Sequence, residues 1–218
     1  MLDLPDINLV ILDDAFQHRY AQSDISFLLT EYSRPFFKDF VLPFGLLREY
    51  RSGYKRADCV IVTKTPSISQ AERDNFISKL RLHSHQTAFF SSITYNQPHL
   101  ISNHQTKINN PGDHSAILLS GIANNRPIVS YLKAQTSLLD VITFKDHHKF
   151  SLQDIKAIKD RIQTKQQPNT ILITTEKDAA RIDDFFISQV AIDIYVLPIR
   201  ITVEQGFISI LQSLKKRS

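Results

Sequence analysis

Short apolar runs alternate with longer amphipathic stretches along almost the whole of this 218-residue chain. Strand-like runs fall at Asn8–Asp13, Ile25–Thr30, Cys59–Thr63, Thr87–Tyr95, Ala116–Ser120, Val141–Phe144, Thr170–Thr174 and Val190–Leu197. Helix-like stretches lie between them at Ser69–Leu82, Arg126–Ala134, Leu152–Gln163, Ala179–Phe186 and Glu204–Lys215. This alternation predicts an α/β fold with mostly parallel strands and flanking helices. The turn-rich stretch Asn96–His114, with Pro98, Asn109, Asn110, Pro111 and Gly112, is the expected boundary between a part spanning 1–97 and an α/β part spanning 98–218. A hydrophobic content of 42% is enough for a core, so disorder is not expected.

Leu9, Val10, Ile11 and Leu12 form a run bounded by acids, the pattern of a strand buried on both faces of a parallel sheet. Asp13 and Asp14 then fall where that strand would end, the edge at which open α/β sheets bind ligands. A carboxylate there can hold Mg²⁺ while the metal bridges nucleotide phosphates, the Walker B arrangement. A core strand followed by an aspartate that caps the next helix explains the same residues. Cys59 is the one cysteine, within an apolar run, which excludes a disulfide scaffold and points to a reducing compartment. The net charge of +4 suits an anionic partner without choosing one, and no nucleic-acid partner is expected. No apolar run approaches the ~20 residues of a membrane span, and no signal peptide is expected from the opening residues, so any membrane role is peripheral.

Four further segments carry candidate chemistry. In Leu42-Pro43-Phe44-Gly45-Leu46-Leu47-Arg48-Glu49, Pro43 and Gly45 shape a loop. Arg48, Arg51, Lys55 and Arg56 follow, with tyrosines between them, and arginine forks match phosphate oxygens; a solvated basic face is the plainer reading. In Ser120-Gly121-Ile122-Ala123-Asn124, the glycine suits a tight turn and the asparagine a helix cap. Phe144-Lys145-Asp146-His147-His148 closes a strand. Adjacent side chains on an extended chain point opposite ways, so the two histidines do not share a metal, whereas a histidine with a carboxylate makes an acid–base pair. Thr175-Glu176-Lys177-Asp178 fits a capping box from Thr175 to Asp178. His83, His85, His99, His104 and His114 show no ligand spacing and read as surface residues.

Asp13-Asp14-Ala15-Phe16-Gln17-His18-Arg19 resembles the D-D-x-x-Q-H-R signature of the tetraacyldisaccharide 4′-kinases, the lipid A 4′-kinases of Gram-negative bacteria. Leu42-to-Glu49 resembles that family's L-P-x-G-x-L-R-E, with Tyr50 where proline is usual, and Arg56-Ala57-Asp58 and Thr63-Lys64 follow in step. Ser120-to-Asn124 resembles its S-G-I-A-N-P with Asn125 in place of proline, Phe144-to-His147 its F-x-D-H, and Thr174-to-Arg181 its T-T-E-K-D-A-x-R. The resemblance implies a P-loop-kinase-like sheet and ATP- and Mg²⁺-dependent phosphorylation of the 4′-hydroxyl of a tetraacyldisaccharide 1-phosphate lipid. It also implies a peripheral place at the cytoplasmic face of the inner membrane. By the same resemblance Asp13 and Glu49 serve the metal. Asp14, Asp146 and His147 are catalytic candidates, with His147 supporting the general base. Gln17, His18, Arg48 and Arg51 meet the acceptor, and Thr175 and Lys177 the nucleotide.

None of the five glycines is followed by lysine, so the phosphate loop G-x-x-x-x-G-K-[ST] is absent from the sequence. The expectation is therefore a kinase lacking its N-terminal phosphate-loop part, incomplete and inactive as it stands. A non-catalytic remnant or binding module, and a metal-dependent phosphoesterase built on Asp146-His147-His148, are the alternatives; the latter lacks an early D-x-D pair.

Overall fold

The computed structural model describes residues 9–122, 124–145 and 148–214. In chain order the strands and helices are β1 (Phe27–Glu31), β2 (Cys59–Thr63), α1 (Gln70–Leu80), β3 (Thr87–Tyr95), β4 (His99–Leu100), β5 (Asn103–Lys107), β6 (Ser115–Ser120), α2 (Arg126–Gln135), β7 (Ser137–Thr143), α3 (Leu152–Lys165), β8 (Thr170–Thr175), α4 (Glu176–Ala179), α5 (Asp184–Val190), β9 (Ile194–Leu197), β10 (Ile199–Val203) and α6 (Gln205–Leu214). They form two compact units, Met1–Thr94 with Ile201–Ser218, and Tyr95–Arg200. Residues 201–218 return to the first unit, because β10 pairs beside β3.

The first unit is built on a four-stranded sheet in the order β1-β2-β3-β10, with β1, β2 and β3 parallel. β2 is apolar at every position but its last, and its first four residues are buried. One of its faces packs with Phe36, Phe76, Leu80 and Phe90. The apolar run at residues 9–13, expected to be a buried strand, is not one. Leu9, Val10, Ile11 and Leu12 are 68%, 69%, 81% and 53% exposed. A strand persists through its ladder to a neighbour and burial of its faces. Among the described residues none pairs with this run, and β1 stands at the end of its sheet.

The second unit carries a six-stranded sheet in the order β5-β4-β9-β8-β6-β7, parallel from β9 to β7 and antiparallel at β4 and β5. The chain leaves β6 through α2 to β7 on one side, then crosses back through α3 to β8 on the other. Side chains alternate along β6 accordingly: Ala116 and Leu118 pack with Ile128 and Leu132 of α2, and Ile117 and Leu119 with Ile155, Ile158 and Ile162 of α3. The helices therefore cover opposite faces, and the winding reverses between β6 and β8. Two expected elements shift here. The helix expected at Ala179–Phe186 is split into α4 and α5, and the start of the last expected strand, Val190, ends α5 instead.

Capping chemistry sets the helix starts. In α3 the Ser151 hydroxyl accepts from the Asp154 amide at 3.2 Å, and the Asp154 carboxylate accepts from the Ser151 amide at 2.8 Å. The Ser151 hydroxyl and amide, with the His148 ring at 3.0 Å, hold the Asp154 carboxyl down at about 2. Because the folded value lies below the unfolded one, this contribution is fully present above about pH 4 and disappears as the pH falls toward about 2. Ser151→Ala should lower stability by about 1 kcal/mol, read from the midpoint of urea unfolding. It should also flatten the acid limb of the stability profile.

Candidate active site

Two groups of the sequence-predicted residues come together, one in each unit. In the first, Asp14 adopts a left-handed backbone with φ 50°, which aspartate tolerates. Its carboxylate meets the Arg48 guanidinium at 2.6 Å, joining two motifs that lie 34 residues apart. Both partners are well exposed, 59% for Arg48 and 65% for Asp14, so the pair contributes little stability and either member can change partner. Glu49 is more enclosed: Arg56 reaches it at 2.7 Å and Arg19 at 3.5 Å. The Glu49 carboxylate lies against Gly53, where a Cβ would oblige it to shift. Gln17, Arg48, Glu49 and Arg51 all line one shallow hollow of about 60 Å³ floored by Phe36 and Leu47.

Arg51 is held more firmly. Its Nε donates to the Asp39 carbonyl at 2.6 Å and its guanidinium lies 4.7 Å over the Phe40 ring. The neighbouring loop is ordered by Asp39, a buried carboxylate that Arg34 and the Phe40 and Leu46 amides keep below the usual carboxylate range. Asp13, Gln17 and His18 are exposed.

The donor set for a divalent cation is incomplete in this arrangement. Asp14 and Glu49 are each neutralised by arginine, and among the described residues no three His, Cys, Asp or Glu side chains converge on a common point. Asp13 offers a hard carboxylate oxygen of the kind magnesium takes, but one carboxylate is no cage. The residues described do not by themselves build a magnesium site.

In the second unit the candidates gather where the winding reverses, the place at which open α/β sheets present ligands. Thr175 ends β8 and its hydroxyl accepts from the Asp178 amide at 3.1 Å. The expected capping box closes differently: the Asp178 carboxylate takes the Thr175 hydroxyl at 2.7 Å and the Gly121 amide, 57 residues away, at 3.0 Å. A Cβ on Gly121 would meet that carboxylate at 2.8 Å and the Lys145 carbonyl at 3.3 Å. Asp178 is 1% exposed, so it clamps the ends of β6 and β8 together. Lys177 beside it faces solvent. Asn124 does not hold the cap position of α2 as expected: Asn125 does, without a side-chain cap, while the Asn124 side-chain Oδ1 accepts from the Arg126 amide at 3.2 Å. Asp146 and His147 lie outside the described residues. His148 stacks on Phe144 with ring centroids 4.6 Å apart and reaches Asp154, contacts that keep it within the packing around α3.

Sequence reasoning missed two features. Asp178 was legible as a cap but not as a clamp on Gly121. His99 and His104, read as unrelated surface residues, are stacked with centroids 4.4 Å apart across the β4–β5 turn.

Mostly parallel strands, with helices on both faces of the second unit's sheet and a clamped switch point, define an α/β protein. The sequence profile of the tetraacyldisaccharide-1-phosphate 4′-kinases (LpxK) matches residues 1–216, and the chain belongs to that family. It is 39% identical to the tetraacyldisaccharide 4′-kinase of Bacteroides thetaiotaomicron over 215 residues, covering 93% of this chain and 57% of that protein. It is 37% identical to the Flavobacterium johnsoniae kinase, covering 95% of this chain and 60% of that protein. The fold is similar to that of LpxK from Aquifex aeolicus, solved in complex with ATP. That match has a TM-score of 0.61 and 20% identity, and covers 94% of this chain and 56% of the other. The chain thus spans somewhat over half the length of these relatives.

Proposed function

We propose that this chain supplies the part of an ATP-dependent kinase that carries the paired aspartates and the acceptor-facing arginines, for phosphoryl transfer to the 4′-hydroxyl of a tetraacyldisaccharide 1-phosphate lipid. The match of the family profile over residues 1–216 carries this reading and favours it over a phosphoesterase. The geometry is consistent with it. Arg48 sits on Asp14 in an exposed pair, so a phosphate group entering the hollow can take the guanidinium in two parallel bonds and release the carboxylate. Gln17, with an exposed amide, lies on the same rim, and His18 follows it in sequence.

Asp13 is the carboxylate proposed to hold magnesium together with the nucleotide, and the metal would supply charge neutralisation at the transferred group. Lys177 and Thr175 are proposed to serve the nucleotide, Asp14 and Asp146 with His147 the proton transfer, and Arg51 the acceptor. An acylated acceptor places the protein at a membrane surface, the cytoplasmic face of the inner membrane in this reading. Among the described residues no helix is long and apolar enough to cross a membrane.

Phosphate-loop amides and lysine supply most of the grip on the β- and γ-phosphates in kinases of this type. Those groups have no counterpart in the sequence, so transfer is expected only when they are provided. The test is label transfer from γ-labelled ATP to the disaccharide acceptor, using the chain alone and the chain joined before Leu2 to the N-terminal portion of the Bacteroides thetaiotaomicron kinase. Transfer by the joined protein alone is the expected result. A folded joined protein that transfers nothing would refute the kinase reading, and robust transfer by the chain alone would refute the role given to the phosphate loop.

A further inference from the structure

In the second unit, β4 and β5 turn back on each other next to Pro198, which follows β9, and leave an open cleft of about 410 Å³ lined by Asn96, Gln97, His99, His104, Lys107 and Pro198. The hairpin brings together three side chains that can carry positive charge and two amides that can donate hydrogen bonds. We propose that this cleft is a binding site for a small oxyanion, phosphate or a phosphomonoester, held by His99, His104 and Lys107. It lies within the second unit and does not depend on the kinase reading.

The charge pattern selects an anion over a metal. Lys107 shares the cleft with both imidazoles, and among the described residues it forms no ion pair with a carboxylate. A divalent cation would face that ammonium, and among the described residues no third metal-ligating side chain joins the two histidines. An oxyanion instead accepts from the ammonium, from imidazole N–H groups and from the amides of Asn96 and Gln97.

The ring geometry adds a pH response. The His99 and His104 rings stack with their planes 37° apart and centroids 4.4 Å apart. Two neutral imidazoles stack comfortably, whereas two imidazolium ions at that separation repel unless an anion lies beside them. Burial, the His104 ring and Lys107 push the His99 pKa down, and Glu176, at the start of α4, works the other way. Glu176 is itself anchored by the Ile199 amide at 3.1 Å. From β5 the ionisable groups are His104 and Lys107; from β9 it is Tyr195, which pairs with Leu100 and belongs to the apolar cluster. A dianion in the cleft reverses the downward shift, so binding takes up protons and strengthens as the pH falls.

Sulfate is the first probe, because it keeps two charges across the range in which histidine titrates. Titration of the 218-residue chain with sulfate, followed through the histidine ring protons by NMR, should saturate at one site near about pH 6 and weaken severalfold by about pH 8. His104→Gln and Lys107→Ala should each weaken binding about fivefold near about pH 6, with Lys107→Ala keeping the pH dependence and His104→Gln flattening it. Both positions are exposed on β5, so the variants should fold, and His83→Gln should bind as the parent does. Inorganic phosphate in solution and phosphatidylcholine vesicles containing phosphatidic acid distinguish the sources of the ligand. Saturation by phosphate without vesicle binding assigns a free anion. Sedimentation with the vesicles that the His104→Gln/Lys107→Ala double variant abolishes assigns a lipid headgroup. Lack of saturation by either sulfate or phosphate near about pH 6, or equal affinity in parent and variants, overturns the proposal.

Discussion

Asp178→Ala should cost about 3 kcal/mol of stability, the largest single-residue effect expected in the second unit away from its apolar core. The substitution leaves the Gly121 amide and the Thr175 hydroxyl, both buried at the ends of β6 and β8, without their shared acceptor. It also removes the carboxylate that Arg181 approaches at 3.5 Å. Hydrogen exchange is the suitable measurement, since a chain of two units need not unfold in one step. Protection of the amides of Leu119 and Ile173 should fall together. Asp178→Asn, which keeps one acceptor oxygen, should lose about half as much. A loss within about 0.5 kcal/mol for the alanine variant would mean that the clamp is dispensable.

Asp13→Ala, made in the joined kinase described above, should lower turnover about a hundredfold or more while leaving stability unchanged, because the side chain is exposed and the proposed loss is of charge positioning at the transferred phosphoryl group. Asp14→Ala should cost less, since its carboxylate is engaged with Arg48. The readout is kcat in the label-transfer assay, with thermal unfolding as the check on folding. Turnover of the Asp13→Ala protein within a few-fold of the parent would remove Asp13 from the metal.

The sequence was most legible where a signal is local. Cys59–Thr63 and Thr87–Tyr95 are strands with the bounds their composition indicates, since an apolar run closed by polar residues is enough to mark them. Leu9–Leu12 carries an equally strong apolar signal and is not a strand, because composition says what a segment could bury and not whether a neighbour is present to pair with it. The reverse error occurs at residues 96–114, where turn-forming residues hide β4 and β5. β5 is exposed throughout and offers no apolar alternation to read. The candidate site divides in the same way. Arg48 and Glu49 stood out as a charged cluster, and Thr175 as a cap. That Asp14 would meet Arg48, that Asp178 would reach Gly121 and that His99 would stack on His104 all depend on which strands lie beside which.

The order in which the two units draw on the chain bears on what a truncation would take away. Residues of the second unit are contiguous, and near its ends the Asn96 amide is bonded to the Pro198 carbonyl at 3.0 Å. The first unit draws on both sides of that stretch: β10 lies beside β3, and Glu204 takes both Arg73 and the Phe90 amide, the latter at 3.1 Å. A chain cut after residue 200 would therefore keep the six strands of the second unit's sheet and strip the first of most of β10 and of the Glu204 carboxylate that ties Arg73 to β3.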